Sequence, residues 1–192
     1  MSVLIAGLVV FLAAHCAGLV APAWRARRIA RIGLRPWKLA YSAISLAGLV
    51  LIVRGFGTAR ADAIVVWQSP VWTRHVAILL TVVGFVLIAA AYVPGTRIKA
   101  ALGHPMTAGV ALWAIGHLIA NGRLADVVLF GAFLVWASIT FVTRRRRDRE
   151  AGIVYAAGGV ARDAIAIVAG VVVSVLFALY LHGPLIGVRP FG

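Results

Sequence analysis

The sequence predicts an all-α protein, an integral membrane helical bundle of about six transmembrane helices forming a single domain over residues 1–192. Three observations carry that prediction. Hydrophobic residues make up 63% of the chain and the mean hydropathy is +1.02, whereas a soluble domain is near half apolar. The apolar residues gather in runs approaching the ~20 needed to cross the hydrocarbon layer. The 19 Lys and Arg residues gather between those runs, as loops flanking membrane spans do.

The runs cover roughly 2–22, 39–56, 75–94, 106–121, 124–142 and 163–182. Each is expected to be helical, because a helix satisfies its own backbone hydrogen bonds in lipid. The first resembles a secretory signal with Ala21-Pro22-Ala23 as a cleavage site. It lacks a basic n-region and is too long for an ordinary signal core, so it reads as a retained span. In 24–37, arginines 25, 27, 28, 31 and 35 fall on one side of a helical wheel and Ala26, Ile29, Ala30 and Trp37 on the other. That is the pattern of a helix lying on the cytoplasmic leaflet, held by anionic lipid; a topology signal without an ordered helix accounts for it equally well.

The loop 57–74 carries Trp67, Pro70 and Trp72, suited to an interfacial aromatic belt. Only Gly122-Arg123 separates the fourth and fifth runs, which predicts a tight helical hairpin. The Gly- and Ala-rich segment 150–162 is a loop or the start of the sixth span. Arg144–Arg147 reads as a stop-transfer signal.

Fourteen of the 19 basic residues follow spans one, three and five, and five lie on the other side. The odd-numbered loops are therefore expected in the cytoplasm, with both termini in the periplasm of a Gram-negative host. The net charge of +14 accompanies no nucleic-acid motif, and a nucleic-acid partner is rejected. One cysteine, Cys16, excludes an internal disulfide. It lies next to His15, about 100° round the helix, and reads as an apolar filler. No Ser–His–Asp set, carboxylate pair or phosphate-binding glycine loop occurs. Asp126 and Asp163 fall near helix N-termini, where a carboxylate is favourable.

Depth separates the five histidines. His75 and His182 fall at span ends and read as solvated. His104 precedes Pro105, a pairing that suits a helix start. His15 and His117 lie within spans one and four, where an imidazole is costly and marks function. Their Cα heights in the bilayer differ by roughly 9 Å at ~1.5 Å per residue. Two histidines gripping one heme iron have Cα atoms about 12–13 Å apart, given a ~2 Å metal–nitrogen bond. A tilted heme fits those figures, whereas a lone ion needs more ligands than the sequence supplies. Two neutral histidines, each bonded to a neighbouring helix, fit as well. Small residues around both suit either reading.

Several strings carry a resemblance. His104-Pro105-Met106 is followed by Leu112-Trp113-Ala114-Ile115-Gly116-His117-Leu118-Ile119-Ala120-Asn121-Gly122. Pro22-Ala23-Trp24-Arg25-Ala26-Arg27, Arg35-Pro36-Trp37-Lys38 with Tyr41-Ser42, and Leu181-His182-Gly183-Pro184-Leu185-Ile186-Gly187-Val188 complete the set. Together they resemble the NnrU family over nearly the whole chain.

The resemblance implies a multi-pass bacterial inner-membrane protein linked to denitrification. The family is similar to plant 15-cis-zeta-carotene isomerase, a heme b protein whose proposed axial histidines correspond to His15 and His117 and whose His-Pro pair corresponds to His104-Pro105. That enzyme has a cysteine three residues before its second histidine, implicated in a redox ligand switch. Ala114 stands there in this chain, which weakens the switch and carotene chemistry with it.

The expected cofactor is therefore heme b on His15 and His117, with His104 beside it or on its propionate side, and with Arg97, Lys99 and the Arg25–Lys38 cluster available to its propionates where the heme edge faces the cytoplasm. The expected role is redox or nitric oxide chemistry linked to denitrification. The alternatives are a heme-dependent cis–trans isomerase acting on a carotenoid or other polyene lipid, and a non-heme accessory of a membrane reductase. Membrane lipids are expected partners throughout.

Overall fold

The structure is a computed structural model that describes residues 1–61 and 64–190. Its helices are α1 (Ser2–Val20), α2 (Pro22–Ile32), α3 (Leu34–Ala61), α4 (Thr73–Tyr92), α5 (Arg97–Leu102), α6 (Pro105–Ala120), α7 (Leu124–Glu150) and α8 (Val160–Leu176). A π-helical turn, Phe177–Leu181, then leads into α9 (His182–Ile186). Among the described residues there is no strand, only an isolated bridge between Val65 and Arg123.

Among the described residues, five stretches are long and apolar enough to cross a membrane: Ser2–Val20, Leu34–Ala61, Thr73–Tyr92, Leu124–Glu150 and Val160–Ile186. The expected fourth span is the apolar helix α6, whose 16 residues reach about 24 Å at ~1.5 Å per residue, short of a ~30 Å hydrocarbon core. Long helices overrun the apolar runs. Helix α3 covers 34–61 where 39–56 was predicted, and α7 continues past 142 to Glu150. Hydropathy marks the part of a helix that lipid accepts; arginine and glutamate are good helix formers and carry it further.

The chain divides into two compact units, Met1–Ala63 and Ile64–Gly192. In the first, α1 and α3 run antiparallel and meet on glycines. A Cβ on Gly7 would stand 2.6 Å from the Ile52 nitrogen, and one on Gly48 2.8 Å from the Phe11 nitrogen. A Cβ on Gly55 would run into the Leu4 backbone. Glycine lets the two backbones approach closely, the principal means of packing helices in lipid. Helix α2 joins α1 through Ala21 and α3 through Gly33, whose φ of 86° stops the helix. The amphipathic segment predicted over 24–37 is thus broken: Arg35 and Trp37 belong to α3.

In the second unit, α6 packs between α7 and α4, and α4 packs between α6 and α8. Helices α4 and α6 cross at Gly84 and Gly109. A Cβ on Gly109 would lie 2.5 Å from the Gly84 carbonyl oxygen, and one on Gly84 2.8 Å from that of Gly109. The hairpin predicted at Gly122-Arg123 forms between α6 and α7. Asp126, buried in the first turn of α7, accepts the Arg123 N–H there. The incoming loop closes on the same hairpin: the Val66 N–H donates to Gly122 O at 2.7 Å, and the Leu124 N–H to Ile64 O at 2.9 Å. Trp67 and Trp72 are exposed, compatible with the predicted belt. Segment 151–159 is non-helical, and the Gly158 N–H ties it to Gly95 O at 2.8 Å.

Candidate functional site

His15 sits in α1, four residues after Phe11. Its Nδ1 lies 2.7 Å from the Phe11 carbonyl oxygen. A carbonyl can only accept, so Nδ1 carries the proton and Nε2 carries the ring's lone pair. The imidazole stacks on the Phe11 ring at 4.2 Å and 23°, with the Tyr41 ring of α3 at 5.2 Å. The ring is thereby fixed in tautomer and in plane.

His117 repeats the arrangement in α6 of the other unit. Its Nδ1–H donates to the Trp113 carbonyl at 2.9 Å, again four residues back. Phe130 of α7 lies 4.6 Å from the imidazole, tilted by 33°, and Trp113 lies at 5.2 Å. Ala114, one helical turn before His117, is fully buried.

His182 shares the device with a different anchor. Directly after the π-helical turn, its Nδ1–H donates to the Val188 carbonyl at 2.6 Å. Inserting one residue per turn re-aims the side chains that follow, and such bulges gather at functional sites. His182 also lies within electrostatic range of His117. Its predicted solvated role at a span end missed this anchoring. A sequence signal was present in the Gly183-Pro184 pair, which cannot continue an unbroken α-helix unaided.

The remaining site residues gather at the α5–α6 end of the second unit. Thr96, buried, caps α5 by accepting the Lys99 N–H at 3.1 Å. Asp163, in the first turn of α8, accepts the backbone N–H of Arg97 at 2.8 Å and of Ile98 at 3.3 Å. The Arg97 side chain is exposed. The Lys99 ammonium reaches the Ala91 carbonyl at 3.4 Å and lies over the Tyr155 ring at 5.8 Å.

His104 is the N-cap of α6, ahead of Pro105, as predicted for a helix start. Its Nε2 lies 2.8 Å from Asp148 Oδ2, close but not aligned as a hydrogen bond. The Tyr155 hydroxyl donates to the same carboxylate oxygen at 2.8 Å. Burial first, and then this hydrogen bond, push the Tyr155 phenol above its ordinary value.

Asp148 and Tyr155 were not anticipated from sequence. Asp148 is an acid inside an arginine run and reads there as a solvated charge; the extension of α7 brings it to His104. Among the described residues, no three or more His, Cys, Asp or Glu side chains cluster as a metal site would require. A heme needs only two protein ligands, and an imidazole with Nδ1–H fixed on a carbonyl is the form in which histidine binds metal. His15, His117 and His182 each fit that donor chemistry.

Comparison with known proteins agrees with the resemblance read from the sequence. The family described as NnrU protein matches residues 3–190. No curated protein and no solved structure matches the chain.

Proposed function

The chain belongs to the NnrU family, and from that premise we propose that it is a bacterial inner-membrane protein in which His15 and His117 would hold heme b, serving redox or nitric oxide chemistry linked to denitrification. One observation carries the reading. Both histidines lie within apolar helices, and both hold Nδ1–H on the carbonyl four residues back. Each ring then offers Nε2 as a Lewis base, and the carbonyl raises its basicity. Heme, when bound, would supply an iron that exchanges one electron, and nitric oxide would bind it only in place of one of the two imidazoles.

The chain's own residues prepare the ligands. Phe11 and Tyr41 hold the plane of the His15 ring, and Phe130 and Trp113 flank that of His117. Aromatic side chains thus border both imidazoles. The exposed Arg97 guanidinium suits a propionate, with Lys99 beside it on the same short helix. Asp148 already faces His104, so His104 is a positioning residue at the start of α6. Ala114 supplies no thiol to exchange for an imidazole, which favours this role over polyene isomerisation. The basic bias of the odd-numbered loops supports a cytoplasmic location for the His104 end.

The test is the absorption spectrum of protein purified from heme-replete cells. A Soret band is expected that shifts with nitric oxide, is lost in His15→Ala and in His117→Ala, and survives His75→Ala. A colourless preparation, or a band indifferent to both variants, overturns the proposal. His182→Ala is the discriminating control. Loss of the band there, with retention in His15→Ala, transfers the second ligand to His182.

A further inference from the structure

We propose that α2 and the first turn of α3 form a binding surface for anionic phospholipid of the phosphatidylglycerol type. This surface needs no heme. Six basic residues lie between positions 25 and 38, and residues 1–61 contain no Asp or Glu. No carboxylate side chain of this segment offsets that charge, so the counter-charge must come from outside it.

The position of α2 restricts what the partner can be. One residue, Ala21, joins it to α1, and Gly33 joins it to α3. Both neighbours are long and apolar enough to cross a membrane. A helix tethered to a span at each end stays at the headgroup level, and the surface it meets there is lipid. Its residue pattern suits that surface. At 100° per residue, Pro22, Ala26, Ile29 and Ala30 share one arc and Arg25, Arg27, Arg28 and Arg31 the opposite one. Ile29 is half-buried and the four arginines are exposed. Such a helix lies along the interface with its apolar arc inward.

The side chains form a ladder. The Arg28 guanidinium lies 5.7 Å from the Trp24 ring, Trp24 meets Trp37 edge-on at 5.7 Å, and the Arg25 guanidinium lies 6.0 Å from Trp37. Two cations thus flank two indoles. Cation–π contact engages the face of a guanidinium and leaves its N–H edge for phosphate oxygens. Tryptophan is at home at that depth. A zwitterionic lipid would suit the indoles but leave the charge unanswered; an anionic headgroup answers both.

The experiment uses the full chain in nanodiscs of phosphatidylcholine mixed with phosphatidylglycerol, with retained lipids counted by native mass spectrometry. The wild type is expected to enrich phosphatidylglycerol. Arg25→Gln with Arg28→Gln should lower that enrichment by about fivefold per charge removed. Arg25→Lys with Arg28→Lys keeps most of it, because the charge is retained. Arg144→Gln with Arg147→Gln, on α7 and outside the ladder, lowers it less than the Arg25 and Arg28 pair does. Equal enrichment in wild type and the Gln pair overturns the proposal, as does equal loss in the Lys and Gln pairs. Absence of any preference for phosphatidylglycerol, including capture of an acidic protein in its place, overturns it too.

Discussion

Gly109→Ala should destabilise the second unit, although alanine is the better helix former. The two effects oppose each other and the structure decides which wins. Replacing glycine by alanine inside a helix gains about 1 kcal/mol from backbone entropy alone. At Gly109 the added methyl would stand 2.5 Å from the Gly84 carbonyl oxygen and 3.1 Å from Leu87 Cβ. Ordinary contact begins at 3.4 Å, so α4 and α6 must part by nearly 1 Å at their crossing. Overpacking of that kind costs about 1–3 kcal/mol, and the neighbour here is backbone, which cannot rotate aside. The separation also loosens contacts along the rest of the α4–α6 seam, so the net effect is a loss of about 1–2 kcal/mol. Gly131 of α7 is the matched control, because an added Cβ there meets nothing within 4 Å. Gly131→Ala should be neutral or stabilising. Both variants are compared with wild type by reversible unfolding in mixed detergent micelles. If Gly109→Ala matches Gly131→Ala, the close crossing does not exist in the folded protein and the packing argument fails.

Two further predictions concern the α5–α6 end. Asp163→Ala removes the acceptor for the Arg97 and Ile98 N–H groups and should cost about 1–2 kcal/mol, the scale of a lost helix cap; faster amide exchange across 97–102, with α3 unchanged, is the accompanying readout. Tyr155 has its phenol raised by burial and by Asp148, so the fold favours the protonated form. The associated stability is fully present below the phenol's ordinary value and is lost as pH rises through the raised one. Melting temperature against pH should therefore fall more steeply at alkaline pH in wild type than in Tyr155→Phe, and parallel curves would contradict the assignment.

How far the sequence was legible depends on what each feature required. The Gly122-Arg123 hairpin and the N-cap at His104-Pro105 follow from local chemistry, and both formed where predicted. Helix ends did not follow from hydropathy. Helices α3 and α7 outrun their apolar runs, because a helix continues into water wherever the residues tolerate it. The break at Gly33 was hidden by a wheel that looked continuous through it. Asp148 illustrates the larger gap. It lies 44 residues after His104 in the chain, and only the extension of α7 and the tethering of segment 151–159 bring the acid, the imidazole and the Tyr155 phenol together.

Composition, apolar run length and the placement of arginines determined by themselves that this is a helical membrane-type protein, because each reflects the transfer of single segments between water and lipid. They also singled out His15 and His117, since the cost of an imidazole in hydrocarbon is a local quantity. The tertiary structure decided which aromatic rings of other helices border each imidazole, which glycines sit at crossings and which charges face one another. Those are relations between backbones and side chains held in register by the fold, and no single segment encodes them.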